Sequence, residues 1–185
     1  MLLTRLKTAL RNFRDDTRGT VTVEAVIGAP LMFWLTMVGY AYFDGYRQAS
    51  LNVKAAYTIG DLLSRETNYV TEDYLSSAHQ LFDLMTRSRS ASKLRVTVVR
   101  WNESQQKYQM DWSKTKGGIR ELTNTDVKNM ASKLPNMQNG ERLIVVETWA
   151  RFYPPFNVGI DEQDLYNFVF TRPRFAPQLV WKDSA

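Results

Sequence analysis

The fold is decided by residues 25–43, which read AVIGAPLMFWLTMVGYAYF. These nineteen residues carry no charge, and with the preceding TVTVE they form a run of 24 residues interrupted only by Glu24. A helix of that length measures about 36 Å, and the hydrocarbon core of a bilayer is about 30 Å thick. Because apolar residues cover every face of such a helix, residues 20–43 predict a transmembrane helix. The alternative is a buried core helix of a soluble domain.

Basic residues are concentrated before this segment. Residues 1–19 contribute +3 of the net charge of +5. Their charged residues are Arg5, Lys7, Arg11, Arg14, Arg18, Asp15 and Asp16. The positive-inside rule therefore predicts a cytoplasmic N-terminus and an external C-terminal part. The rest of the chain is nearly neutral, so we expect no nucleic-acid partner.

The first residues show a second pattern, because leucines and Phe13 recur at helical spacing with arginine and lysine between them. Residues 2–14 could form a basic amphipathic helix on an anionic lipid surface, or a solvated leader. The apolar run that follows is longer than the core of a secretory signal, and no convincing small-residue cleavage site ends it. We therefore expect the helix to be retained.

The chain offers little for catalysis. It has 185 residues, no cysteine and one histidine, His79, and it contains neither a nucleophile elbow nor a phosphate loop. We expect no catalytic residue, no metal and no cofactor, and a partly exposed surface position for His79. The carboxylates Asp161, Glu162 and Asp164 could hold calcium, but without regular ligand spacing we favour solvated charges or the start of a helix.

The remaining sequence predicts an α+β layout. Residues 44–92 form a helical stalk with a second helix that Thr71 caps, and residues 93–185 form a β-rich head. Four alternating segments predict the strands of an antiparallel sheet, namely residues 93–101, 107–112, 143–153 and 165–172. A short helix is expected over residues 125–134. The polar residues 86–93 connect the helical and β-rich parts.

The residues around Glu24 form a further motif. The segment Arg18-Gly19-Thr20-Val21-Thr22-Val23-Glu24-Ala25 has a basic flank, a glycine, a glutamate five residues later and an apolar helix. It resembles the prepilin peptidase site of type IV pilins and pseudopilins. The resemblance implies cleavage between Gly19 and Thr20 and a role for Glu24 in setting the register between subunits. A merely hydrated interfacial position for Glu24 is the alternative.

A longer resemblance involves both ends of the chain. The string GTVTVEAVIGAP at residues 19–30 and the string TRPRFAP at residues 171–177 are similar to the TadE/TadG-like family of tight-adherence (Flp) pilus pseudopilins. The short head favours the TadE kind. This resemblance implies a pilin-like head and a subunit of a bacterial inner membrane whose C-terminal domain is periplasmic. The implied partners are the prepilin peptidase, other pilin or pseudopilin subunits, the lipid bilayer, and an assembly platform driven by an ATPase.

Pro30 lies inside the predicted transmembrane helix, where it removes one backbone hydrogen bond. We predict a helix kink at Pro30. An uncleaved single-pass protein with a periplasmic scaffolding or sensing domain remains the alternative function.

Overall fold

The computed structural model describes residues 2–16, 19–87 and 89–183. Met1, Thr17 and Arg18 of the predicted leader, Ser88 of the connector and the last two residues of the head lie outside the described residues. The helices are α1 (Leu2–Asp15), α2 (Thr20–Arg65), α3 (Glu72–Thr86) and α4 (Asn124–Asn129), with a 3₁₀ turn at Ala131–Lys133. The strands are β1 (Lys93–Asn102), β2 (Lys107–Lys116), β3 (Arg142–Phe152) and β4 (Gln163–Thr171).

Helix α2 contains 46 residues and runs without interruption from Thr20 to Arg65, a length of about 69 Å. The helix continues through Gly45 and Gly60. Residues 20–40 lie outside the packed core, whereas one face of the following turns is buried. Within the part of the chain that the structure describes, α2 is the one helix long and apolar enough to cross a bilayer.

The four strands form one antiparallel sheet in the order β2-β1-β3-β4. The predicted α+β fold, with a long apolar helix followed by a four-stranded antiparallel sheet, is therefore confirmed. Strand β2 extends four residues beyond its predicted end at Trp112.

The sheet separates two apolar clusters, as the alternation in β1 predicted. Leu94, Val96 and Val98 join the larger core beneath α2 and α3, together with Ile59, Leu63 and Phe82 of those helices. Val99 faces the opposite side and packs with Val127, Leu143 and Val145 under α4. A register shift between Val98 and Val99 interrupts the pairing of β1 with β2.

The predicted cap of α3 is confirmed, because the side chain of Thr71 accepts a hydrogen bond from the backbone N–H of Tyr74. His79 is partly buried in this helix, and its Nε2 lies 3.1 Å from the Ser92 carbonyl oxygen and 2.9 Å from Ser92 Oγ. The histidine therefore joins α3 to the segment before β1, a contact that its sequence position did not predict.

The last residues cross from β4 to the far end of α2. The N–H of Arg174 donates to the carbonyl of Ser64 at 2.7 Å. Val70 then donates to the carbonyl of Val180, and Lys182 donates to the carbonyl of Val70. This C-terminal segment closes the end of the helix-side core by burying Leu179.

Candidate functional site

The candidate site begins where α2 begins. Gly19 is the residue before the first helical turn, with φ −81° and ψ −1°, and no side chain caps the helix there. Gly19 and Thr20 are both exposed. The ends of α1 and α2 form an open cleft lined by Phe13, Asp16, Gly19, Thr20, Val23 and Glu24. The peptide bond between Gly19 and Thr20 is therefore accessible to another protein.

Glu24 lies one helical turn after Thr20, so the two residues share a face of α2. Its side chain is exposed, and no ion pair within the described residues involves it. The structure thus brings Gly19, Thr20 and Glu24 together at one end of the helix. The carboxylate is available to a cation supplied from outside this chain.

The exposed face of α2 continues from Glu24 into the head. Successive residues on this face are four, three and four positions apart. This pattern spans eleven residues and occurs three times in a row. The residues are Glu24, Gly28, Leu31, Leu35, Gly39, Tyr42, Tyr46, Ser50, Val53 and Tyr57, of which Gly28 is half-buried and the other nine are exposed. At 3.6 residues per turn this set, which we call the outer stripe, drifts by only about 20° per eleven residues.

In the head, the outer stripe lies opposite the buried face of α2. Tyr46 is 76% exposed and Tyr57 is 61% exposed, whereas Ala55, Ala56 and Ile59 are fully buried against the rest of the head. The buried face therefore holds the head together, and the outer stripe offers tyrosine and valine side chains to solvent. Sequence reasoning missed this distinction because residues 44–66 alternate apolar and polar residues on more than one face.

Small residues give the membrane half of α2 room for close contacts. A Cβ atom added to Gly28 or Gly39 would meet nothing within 4 Å. Pro30 lies between these positions inside the continuous helix, and the bend that we predict there stays a prediction. Without backbone crowding at Gly28 and Gly39, a neighbouring helix has space to approach.

A buried polar cluster lies on the α4 side of the sheet. Arg95 Nε donates to Glu147 Oε2 at 2.7 Å, and the hydroxyl of Tyr166 donates to Glu147 Oε1 at 2.8 Å. Burial, with the contact to Glu147, raises the pKa of Tyr166. The ring of Trp149 lies 5.1 Å from the guanidinium carbon of Arg95. These groups satisfy one another, so the cluster is structural.

Three acidic residues lie around the start of β4. Asp161 and Glu162 precede the strand, whereas Asp164 is its second residue. Arg151 lies 3.1 Å from Glu162 and 3.5 Å from Asp164. Both carboxylates are exposed, as is Asp161, and no helix begins there. In the residues that the structure describes, no group of three or more potential ligands is placed to hold a metal ion.

Comparisons with protein-family models, with curated proteins and with solved structures find no match to this chain. The features that indicate a function are therefore the geometry of α2 and the motif at its start.

Proposed function

We propose that this protein is a minor pilin or pseudopilin that takes part in assembling a tight-adherence (Flp) type IV pilus. One observation carries the proposal. An accessible Gly19–Thr20 bond stands at the start of a 46-residue helix, and the apolar half of this helix lies outside the core. An exposed glutamate, Glu24, lies one turn after the start of the helix. A helix whose apolar side chains are exposed on all faces needs a lipid or protein environment. Both environments are present during pilus assembly.

The orientation follows from the charges before α2. With the basic leader in the cytoplasm, α2 crosses a bacterial inner membrane and the sheet domain lies in the periplasm. The prepilin peptidase would cut after Gly19 on the cytoplasmic side. Thr20 would then carry a new α-amino group at the end of the helix.

Cleavage gives Glu24 a chemical partner. The α-amino group of Thr20 is a cation, and the exposed carboxylate of Glu24 on a neighbouring subunit is an anion. In a helix bundle with little water, each offsets the desolvation of the other, whereas either group alone would be costly to bury. The pairing would fix the axial position of one subunit on the next, and the outer stripe would supply the apolar contact.

The second candidate is an uncleaved single-pass membrane protein with a periplasmic scaffolding or sensing domain. It is favoured by α1, which forms a 14-residue helix directly before the cleavage motif. Leu6, Leu10 and Phe13 of α1 are all exposed. A leader that binds the membrane surface could serve the mature protein as a second anchor.

The two candidates differ at the mature N-terminus. We would extract the full chain from membranes of cells with and without the prepilin peptidase and determine its N-terminal residue. The proposal expects Thr20 only when the peptidase is present, and slower processing of Gly19→Ala. Since a Cβ at Gly19 meets nothing within 4 Å, this variant does not disturb the fold. An intact leader in the presence of an active peptidase would favour the second candidate.

A further inference from the structure

The loop between β3 and β4 packs against the membrane end of α2. The rings of Tyr40 and Phe156 lie 5.9 Å apart at an interplanar angle of 58°. A Cβ atom added to Gly45 would lie 3.5 Å from the ring of Phe152. Ala41, which shares a helix face with Gly45, is fully buried, whereas Tyr42 is 58% exposed. The segment from Phe152 to Phe156 therefore covers one side of α2 at this level.

This level lies inside the apolar segment. The uncharged run ends at Phe43, just before Asp44, and Tyr40 precedes Phe43 by three residues, or about 4.5 Å along the helix axis. Phe156 contacts Tyr40 and is 38% exposed. Residues 153–160 read YPPFNVGI and carry no charge. Phe156 of this loop thus lies level with the last turn of the uncharged run.

Basic side chains lie close to α2 immediately above this level, together with Asp44. Arg47 lies one turn beyond Phe43 and is bonded to Asp44 at 2.8 Å. Arg87 and Arg89 are exposed, and they line a cleft with Gln48 and Asn52 of α2. In a bilayer, the lipid phosphates lie above the acyl chains. Apolar side chains at the end of a membrane span would therefore contact acyl chains, and arginines one to two turns above them would lie at the level of the phosphates.

We propose that the loop at residues 153–160 inserts Phe156 into the outer face of the bilayer, with Arg87 and Arg89 near lipid phosphates. The inference rests on the part of the proposed function in which α2 spans a membrane. The occupant is lipid because the exposed surface of Phe156 is continuous with the apolar surface of α2 at Tyr40. Two attachment points, the helix and the loop, would fix the height and tilt of the head on the membrane.

The absence of cysteine from the chain makes a depth measurement direct. We would introduce single cysteines into the full chain as Asn157→Cys, Leu35→Cys and Phe175→Cys, and attach a nitroxide to each. Asn157→Cys keeps Phe156 in place. Leu35 reports the middle of the span, and Phe175, 68% exposed beyond β4, reports the far end of the head. Collision with oxygen and with a water-soluble nickel complex is measured in vesicles of phosphatidylethanolamine and phosphatidylglycerol.

The proposal expects the label at 157 to be shielded from nickel and accessible to oxygen, at a depth between the labels at 35 and 175. Phe156→Ser in the 157-labelled chain should shift that label toward the aqueous value. A shielded label at 35 with an aqueous label at 157 would overturn the loop inference alone. An aqueous label at 35 would overturn membrane spanning itself. The label at 157 could also be shielded from nickel in vesicles but not in nanodiscs that hold one copy of the protein. That result would show that the loop contacts a second copy, and it would overturn the assignment to lipid.

Discussion

The guanidinium group of Arg95 and the carboxylate of Glu147 meet at 2.7 Å on adjacent central strands, with side-chain exposures of 10% and 3%. Glu147 also accepts the hydroxyl hydrogen of Tyr166. The pair lies in the middle of the sheet, where both charges are largely buried. Each member therefore depends on the other for its solvation.

We predict that Glu147→Leu destabilises the protein by about 3–5 kcal/mol, because it leaves a buried arginine without its partner. The double variant Arg95→Met, Glu147→Leu should recover much of that loss. The measurement is denaturant unfolding of the full chain in detergent. Glu103→Leu in the exposed hairpin loop is the control and should change stability by less than about 0.5 kcal/mol. An equal loss of stability in the single and the double variant would contradict this explanation.

A second prediction concerns acid stability at the start of α4. Asp126 accepts two hydrogen bonds of 2.7 Å from Arg120, and it also accepts from the N–H and hydroxyl of Thr123. These bonds hold the pKa of Asp126 well below its usual 3.8. The carboxylate therefore stabilises the fold above pH 3.8, and this contribution is lost as the pH falls toward the lowered pKa.

The expected result is a difference in unfolding midpoint between the native chain and Asp126→Asn that is constant above about pH 5 and narrows at lower pH. The control is Asp161→Asn, which makes the same change from carboxylate to amide in an exposed loop. A difference that stays constant down to pH 2 would show that the ionised carboxylate of Asp126 does not contribute to stability.

The third prediction concerns the outer stripe in the head. Tyr57→Glu should leave stability within about 0.5 kcal/mol of the native value, because the side chain is 61% exposed. The same change should weaken association between copies, since it places a carboxylate in an apolar contact. The matched control is Tyr69→Glu, which alters a 60% exposed tyrosine outside α2. Sedimentation in detergent measures the association of each variant. Equal association of the Tyr57→Glu and Tyr69→Glu variants would exclude the outer stripe as the contact between copies.

Local signals in the sequence were sufficient for much of this fold. The uncharged run before Asp44 predicted the first half of α2, and the threonine before two acidic residues predicted the cap at Thr71. Alternation predicted both faces of β1. These features depend on neighbours along the chain, so the sequence contains the necessary information.

The missed features depend on contacts between distant segments. Lys114 and Lys116 extend β2 because they pair with β1, although their own residue types favour a loop. Glu147 is buried only because Arg95 lies across the sheet from it. The contact of Phe156 with Tyr40 requires the loop to return along α2. None of these pairings has a signature within its own segment, whereas Gly19, Thr20 and Glu24 share a site because they lie within two turns of one helix.

We propose that α2 joins copies of this protein through Glu24, and co-isolation of two differently tagged copies from membranes that contain the peptidase tests this role. We predict that Glu24→Gln and Glu24→Ala are both processed to Thr20 yet co-isolate far less than the native chain. Val26→Ala, a 68% exposed position outside both the cleft and the outer stripe, should behave like the native chain. Native levels of co-isolation in both Glu24 variants would contradict this role of Glu24.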